Sequence, residues 1–575
     1  MPRLRLLCLL LLCHLPTSWA ARVQVTLSGL DGALEDNVLA YLDIAQTGGA
    51  DLPPARIRYL HAQAPKQIRK ALAPFGFFKV KVEGRLEPRG KDFRAVYRVD
   101  PGPPVHLDRV EVKVSGPGAS EVRLTGPFPL RKGNILNQAV YERAKDARLS
   151  LALALGYLDA RYTEHRITVT LRPYRAEIHL HLETGPRYRF GPVHFAQDAL
   201  DPAFLARYLR FRPGDPFDPD ALLTLQSNLI GSGYFSRVEI YPKRDEAQDL
   251  RVPIEVVAVP AKPNRYRLGI GYATDTGPRL SGDWLRRRLN RQGHRLDTSL
   301  RLSPALSSLE ADYRIPLRDP VKDFFGLKLN ASRFDTQART GYGVTLQAEY
   351  ATALSREGWR RSLRLDYEWE RAETAGVEES HLSLIPSINW DYYHADGVIR
   401  VRNGAKANLS ILGASKYLLS DNHFLQAHAK GKVIRTLPWR DWRVLTRLEL
   451  GASLADRLED LPSTERFFAG GDNSIRGYHL DQLGPKDRSG RVVGGRFQAV
   501  ASLELDRRIR GPWSAALFYD FGNAFDPDYS NEVAQGAGLG VRWQSPVGPV
   551  RLDLASALSR DDYPWRLHIV IGPEL

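Results

Sequence analysis

The stretch Phe467-Phe-Ala-Gly-Gly-Asp-Asn-Ser-Ile-Arg-Gly-Tyr478 lies between two segments that alternate like β-strands. Glycine permits sharp turns and close backbone approach, so Gly470, Gly471 and Gly477 mark a loop folded tightly against something. Arg476 is the only basic group in it. Inside a β-barrel such a cation must meet a carboxylate on the wall, because an unpaired buried charge is costly. The reading of the loop therefore depends on whether the surrounding chain is a barrel.

The sequence after Pro260-Ala-Lys-Pro263 favours one. Tyr266, Leu268, Ile270 and Tyr272 alternate with Arg265, Arg267, Gly269 and Gly271. Similar runs follow at Gly326–Phe334, Gly343–Tyr350, Ser362–Trp369, Ala405–Leu412, Val444–Leu450 and Phe497–Leu505. A strand with one lipid face and one lumen face alternates in this way over about 10 residues. At roughly 20 residues per strand and connection, the segment 263–575 accommodates about 16 antiparallel strands. No stretch beyond the N-terminus has the ~18 consecutive apolar residues of a membrane helix.

The N-terminus reads as an export signal, residues 1–20. Arg3 and Arg5 are followed by an apolar run from Leu6 to Leu15, with Ser18 and Ala20 at the positions expected for cleavage. Both cysteines, Cys8 and Cys13, fall inside it, so the remaining chain has no thiol for a disulfide or a metal. The net charge of +15 suits an acidic partner or anionic headgroups as well as a solvated arginine-rich surface. Export makes nucleic acid a poor partner.

Between the signal and the barrel the chain repeats. Gly76, Gly156 and Gly233 each end a helical pattern and precede a strand, about 80 residues apart. Gly102 matches Gly185, and Gly133 matches Gly214, at nearly the same period. Each unit reads strand, helix, helix, strand, strand. In the third, the first strand is Tyr188–Phe195, the first helix Asp201–Leu209, and Asp218-Pro219 opens the second. Units of this length are small α+β domains in series, expected at 21–104, 105–186 and 187–262.

Repeats of this kind ahead of a barrel carrying Ile475-Arg-Gly-Tyr478 resemble the Omp85 superfamily. The repeats look like its POTRA modules and the Gly470–Tyr478 segment like its sixth-loop motif. Three modules and the ending Ile571-Gly-Pro-Glu-Leu575 look most like the TamA branch. The resemblance implies a 16-stranded barrel in the outer membrane with the modules in the periplasm. It also implies a TamB-like inner-membrane-anchored partner, unfolded outer-membrane protein clients such as autotransporters, and contact with outer-membrane lipids.

The resemblance further assigns Gly470, Gly471, Asp472, Ile475, Arg476, Gly477 and Tyr478 to the loop motif. It places the partner of Arg476 in a phenylalanine-aspartate-glycine type stretch, here Leu517-Phe-Tyr-Asp-Phe-Gly-Asn, and so points to Asp520 with Gly522. Strand parity points the same way. Leu517, Tyr519 and Phe521 form an outward set, leaving Asp520 inward; Leu503 and Leu505 likewise leave Glu504 inward.

The barrel's ends suggest a weak seam. Tyr266, Leu268, Gly269, Ile270 and Gly271 make the first strand, and glycine weakens strands. Leu567, Ile569 and Ile571 of the last run into Gly572-Pro573, and proline ends ladders. Closure should be short, and an open seam invites a client strand. The alternatives are a two-partner secretion transporter and a passive porin-like channel. No Ser-elbow or phosphate loop is present. His179 and His181 share a strand face without a third ligand nearby, so neither enzyme chemistry, cofactor nor metal is expected.

Overall fold

The computed structural model describes residues 21–354, 358–397, 400–439, 441–528, 530–545 and 548–571. The expected signal (1–20) and Gly572-Pro573 lie outside the described residues. The chain divides into two compact units. One comprises Met1–Val193, Phe211–Leu223 and Pro242–Ile254; the other comprises His194–Arg210, Thr224–Tyr241 and Glu255–Leu575.

In the first unit the module built on Val23–Ser28 has two helices, Ala33–Tyr41 and Pro54–Leu72, then strands Lys81–Arg89 and Asp92–Asp100. Ile57, Leu60, Ala64, Ile68 and Leu72 recur at three- and four-residue intervals, giving the long helix one apolar face. That face buries Ala95, Tyr97 and Val99, which alternate on the central strand. The first strand pairs parallel with the last, which pairs antiparallel with the second. The next module repeats this order with strands Leu107–Ser115, Arg161–Leu171 and Tyr174–Glu183. Its helix Gln138–Ala154 is capped by Asn137, whose side chain accepts from the Val140 amide at 3.1 Å.

Two expected helices come out shorter. In the second module the first helix is only a 3₁₀ turn, Pro117–Ser120, and one α-turn, Val122–Thr125. Gly116, Gly118 and Gly126 crowd that segment and leave too little helix propensity to extend it. In the third module Pro202–Leu205 passes into a 3₁₀ turn, Ala206–Tyr208, and stops before Leu209. That module's strands Arg189–Ala196, Phe235–Pro242 and Arg251–Pro260 keep the same sheet order. The repeated glycines have a backbone reason. Gly76 and Gly156 both sit at φ +90, where a Cβ would strike the Leu136 and Phe217 carbonyls at 2.7 and 2.8 Å.

From Asn264 onward sixteen strands close into an antiparallel barrel. Side chains alternate as lipid and lumen faces require. Leu517, Tyr519 and Phe521 stand outward, while Phe518 and Asp520 are buried inside. Strand length varies from the 19 residues of Val377–Ala395 to the 7 of Trp565–Ile571. Among the described residues the shortest barrel strand is the last.

Candidate functional site: the sixth loop and the barrel seam

The loop between strands Trp442–Ala455 and Phe497–Arg510 turns back onto lumen-facing side chains. Its base is fixed on one wall. The Ser463 and Thr464 amides donate to the Glu370 carboxylate at 2.8 and 3.1 Å. Arg339 donates to the Ser463 carbonyl at 2.6 Å, and Arg466 pairs with Glu379 at 2.5 Å.

Its tip is fixed by Arg476. The guanidinium donates from Nε and Nη2 to the two oxygens of Asp520, at 2.7 and 2.9 Å, a bidentate fork. The Arg476 backbone N–H reaches the same carboxylate at 3.1 Å. Nη1 donates to Glu504 at 2.8 Å and to Asp553 at 3.2 Å. The group lies 3.4 Å over the Phe518 ring, adding a cation–π contact. Arg476 is 5% exposed and Asp520 fully buried, so little water competes for these bonds.

Two of these carboxylates also hold a second arginine. Arg542 donates to Glu504 at 2.8 and 3.1 Å and to Asp553 at 2.5 Å. Arg447 donates to the Asn473 and Ser474 carbonyls of the loop. Arg476 and Arg542 thus pair with Glu504, Asp520 and Asp553, the arrangement that makes buried charge tolerable.

The loop backbone follows from its glycines. Gly470, Gly471 and Gly477 sit at φ 101, 107 and 100, values that favour glycine. A Cβ on Gly477 would meet the backbone of Ser556 and Ala557 at 2.9 to 3.0 Å, so the loop lies directly on that strand. Ile475 and Tyr478 are buried with Ala469, Val500, Ala534 and Ala557. Gly522 is a correction. It does not touch Arg476; at φ 140 it packs against the Ala499–Val500 backbone, where a Cβ would lie 2.6 Å from the Val500 Cα.

At the seam, the first strand (Asn264–Ala273) pairs with its neighbour along its whole length. With the last strand it shares a single pair, Ala273↔Val570. Three further bonds help: Thr274 N–H to the Ile569 carbonyl (3.2 Å), Ile569 N–H to the Thr274 hydroxyl (2.8 Å), and Arg279 to the Ile571 carbonyl (3.1 Å). Below Ala273 no residue of the first strand pairs with the last among the described residues. Leu268 and Ile270 there are 87% and 89% exposed, and Tyr266 is exposed too. Ile569 and Ile571 therefore approach the first hairpin, while Tyr266, Leu268, Gly269 and Ile270 have no partner across the seam among the described residues.

Side chains from three elements clasp this junction. Gly477 donates its N–H to His568 Nε2 at 2.9 Å. Nε2 is therefore the unprotonated nitrogen, and Nδ1–H donates to Asp472 at 2.5 Å. The Asp472 amide donates to Asp275 in the first hairpin, and the Asp275 amide returns a bond to Asp472 at 3.3 Å. Arg566 of the last strand pairs with Asp275 at 3.1 Å. Asp275, Asp472 and His568 bring ligand atoms within 4.8 Å of one another, a spacing a cation could use, but these groups already bond one another, Gly477 and Arg566.

Sequence reasoning named Asp472 but missed Asp275, His568, Arg447, Arg542 and Asp553. Parity carried part of the signal: His568 lies between outward Leu567 and Ile569, and Asp553 between exposed Leu552 and Leu554. In the second module His181 Nε2 contacts the Ser115 hydroxyl at 2.6 Å, and His179 lies 3.4 and 3.5 Å from Glu111 and Glu177.

Three family models match the chain. The Omp85 superfamily domain covers residues 288–574, the POTRA domain described as TamA domain 1 covers 24–101, and the POTRA model described as surface antigen variable number repeat covers 188–258. An outer membrane protein assembly factor BamA of Nitratidesulfovibrio vulgaris is 25% identical over 60% of this chain and 45% of its own length. The BamA of Neisseria meningitidis serogroup B is 22% identical over 68% of this chain and 57% of its own. The chain thus spans about half the length of these relatives. The crystal structure of BamA from Haemophilus ducreyi lacking POTRA domains 1–3 superposes with a TM-score of 0.69 at 18% identity, over 81% of this chain and 99% of that one. That likeness is one of fold.

Proposed function

This chain belongs to the Omp85 superfamily, with periplasmic POTRA modules ahead of an outer-membrane barrel, and from that premise we propose that it assembles other outer-membrane proteins through its seam. The observation that carries the proposal is the single Ala273↔Val570 pair. Below it, among the described residues, the first strand has no strand partner at the seam, and a row of backbone donors and acceptors left this way is a template for strand addition by an unfolded client. The client's first strand pairs there, and its hydrophobic face meets lipid as it forms. Arg476 keeps the loop inside the barrel next to the last strands. It is an anchor, not a catalyst.

The finer reading is a TamA-like factor that works with a TamB-like inner-membrane-anchored partner on clients such as autotransporters. The match of residues 24–101 to a TamA first POTRA domain supports it. Co-purification from membranes tests the partner: recovery of a TamB-like protein with the full chain, lost when the first module is deleted, is the expected result.

The seam is tested by replacing Ala273 and Val570 with cysteine. Directly opposed antiparallel residues lie about 4.5–5.5 Å apart at Cα, within reach of a disulfide. Oxidation should stop client insertion and reduction should restore it. Undiminished insertion by the oxidised protein would sink the proposal.

A further inference from the structure

A cavity of about 430 Å³ lies where the third module meets the start of the barrel, and all its lining residues belong to the unit that contains the barrel. This is the periplasmic rim, because the module runs directly into the first strand at Asn264. Tyr208, Asn228 and Tyr234 form one side. Arg295, Arg314, Lys322 and Arg360 converge from three strands and a turn on the other.

The local carboxylates pair with Arg314 and Lys322 and leave Arg295 and Arg360 without an ion-pair partner among the described residues. Asp312 is taken up by Arg314, at 2.6 and 2.7 Å. Asp319 is held by a two-pronged bond from Arg210 at 2.8 and 2.9 Å, and Lys322 reaches it only at 4.0 Å. Asp323, the one carboxylate in the lining, accepts the Thr352 hydroxyl at 2.6 Å. Arg295, half-buried, and Arg360 have no hydrogen-bonded or ion-paired partner among the described residues.

The cations are also held in place. The Arg314 and Arg360 guanidiniums lie 4.8 and 5.6 Å from the Phe324 ring centroid, which positions both beside the cavity on an apolar floor. A half-buried guanidinium with no carboxylate is an incomplete contact, since desolvation weakens its hydration and nothing replaces it. Its planar set of donors matches phosphate oxygens, and further cations add to the attraction. Ser227 and Asn228 add a hydroxyl and an amide.

We propose that this cavity is a binding site for a phosphate-bearing anion, with Arg295 and Arg360 as its principal contacts. Two sources share that chemistry, a phospholipid headgroup and free phosphate. The test is calorimetric titration of the full chain in a neutral detergent with dihexanoyl-phosphatidylglycerol and, separately, inorganic phosphate, with dihexanoyl-phosphatidylcholine as the zwitterionic control.

Binding of the phosphatidylglycerol or of phosphate, weakened at least about tenfold by Arg295→Gln or Arg360→Gln, supports the site. Saturation by the lipid alone assigns it to a headgroup, and saturation by both shows that the phosphate suffices. Arg360 is exposed, so R360Q should fold even if R295Q does not, and the heat-dependent gel shift of the barrel checks each. Failure of both probes to bind overturns the proposal, as does equal binding by wild type and both folded variants.

Discussion

Replacing Arg476 by alanine should destabilise the barrel by about 3–5 kcal/mol, the cost of leaving one member of a buried ion pair without the other. The penalty falls unevenly. Glu504 and Asp553 keep Arg542, which donates to both at 2.5 to 3.1 Å. Asp520 keeps no cation that hydrogen-bonds it, only the Ser502 hydroxyl at 2.5 Å and the backbone N–H of residue 476 at 3.1 Å. Arg476→Ala/Asp520→Ala should therefore recover about 1–3 kcal/mol relative to the single variant, since the orphaned carboxylate is gone. Arg476→Lys retains charge without the planar fork and should lose about 1.5–3 kcal/mol. Urea titration of folding into lipid vesicles, followed by tryptophan fluorescence, measures all three against wild type. Arg476→Ala within about 0.5 kcal/mol of wild type, or a double variant worse than the single, would refute the reasoning.

Three further outcomes follow from the same loop. Gly477→Ala should destabilise by about 1–3 kcal/mol, because it strains a positive φ and drives a methyl into the Ser556–Ala557 backbone; the same titration checks it. His568→Asn can still donate to Asp472 but cannot accept from Gly477, whereas His568→Gln can accept from Gly477 but not also donate to Asp472. Both should raise the rate at which the Ala273→Cys/Val570→Cys seam pair is alkylated rather than oxidised, and unchanged trapping in both would discount the clasp. The Glu465 carboxyl is pushed up to about 8 by burial and then by Glu368, Glu370 and Asp366. The folded protein therefore binds more protons than the unfolded chain between the ordinary carboxylate range and about pH 8, and stability falls as pH rises through that window. Glu465→Gln should flatten this dependence and be the more stable protein at pH 8, as read by unfolding midpoints across the range.

Much of this was legible in the sequence because barrel strands obey a period of two. Alternation alone put Asp520 and Glu504 inside, and the glycine spacing marked the three modules. Parity gives the face of a strand, not the height or the angle around the barrel at which a side chain sits. Those depend on strand stagger, which is why Asp553 and Arg542 escaped notice although both alternate correctly. Asp472 and His568 lie 96 residues apart, and only the folded path of the loop brings them together. Gly522 shows the opposite error. A motif glycine was read as part of the arginine's partner, whereas its lack of a side chain serves the approach of the neighbouring strand.

Of the two features the sequence offers for a short closure, the run into Gly572-Pro573 lies outside the described residues and the glycines of the first strand do not account for it. Glycines in the first strand do not prevent pairing there, since its other edge is paired from Asn264 to Ala273. Among the described residues the last strand has seven residues and meets the first at one pair, Ala273↔Val570. A ladder bond contributes roughly 0.5–1.5 kcal/mol net, so a seam with one backbone pair has little of its own to resist opening. Beyond that pair and the Thr274 N–H to Ile569 carbonyl bond, the described contacts involve side chains, and much of this passes through Asp472 and Gly477 of the sixth loop. A seam held in this way can open without dismantling a ladder, provided the loop shifts. Loop position and seam opening are then one coupled equilibrium, in which any ligand or client that prefers the shifted loop also favours the open seam.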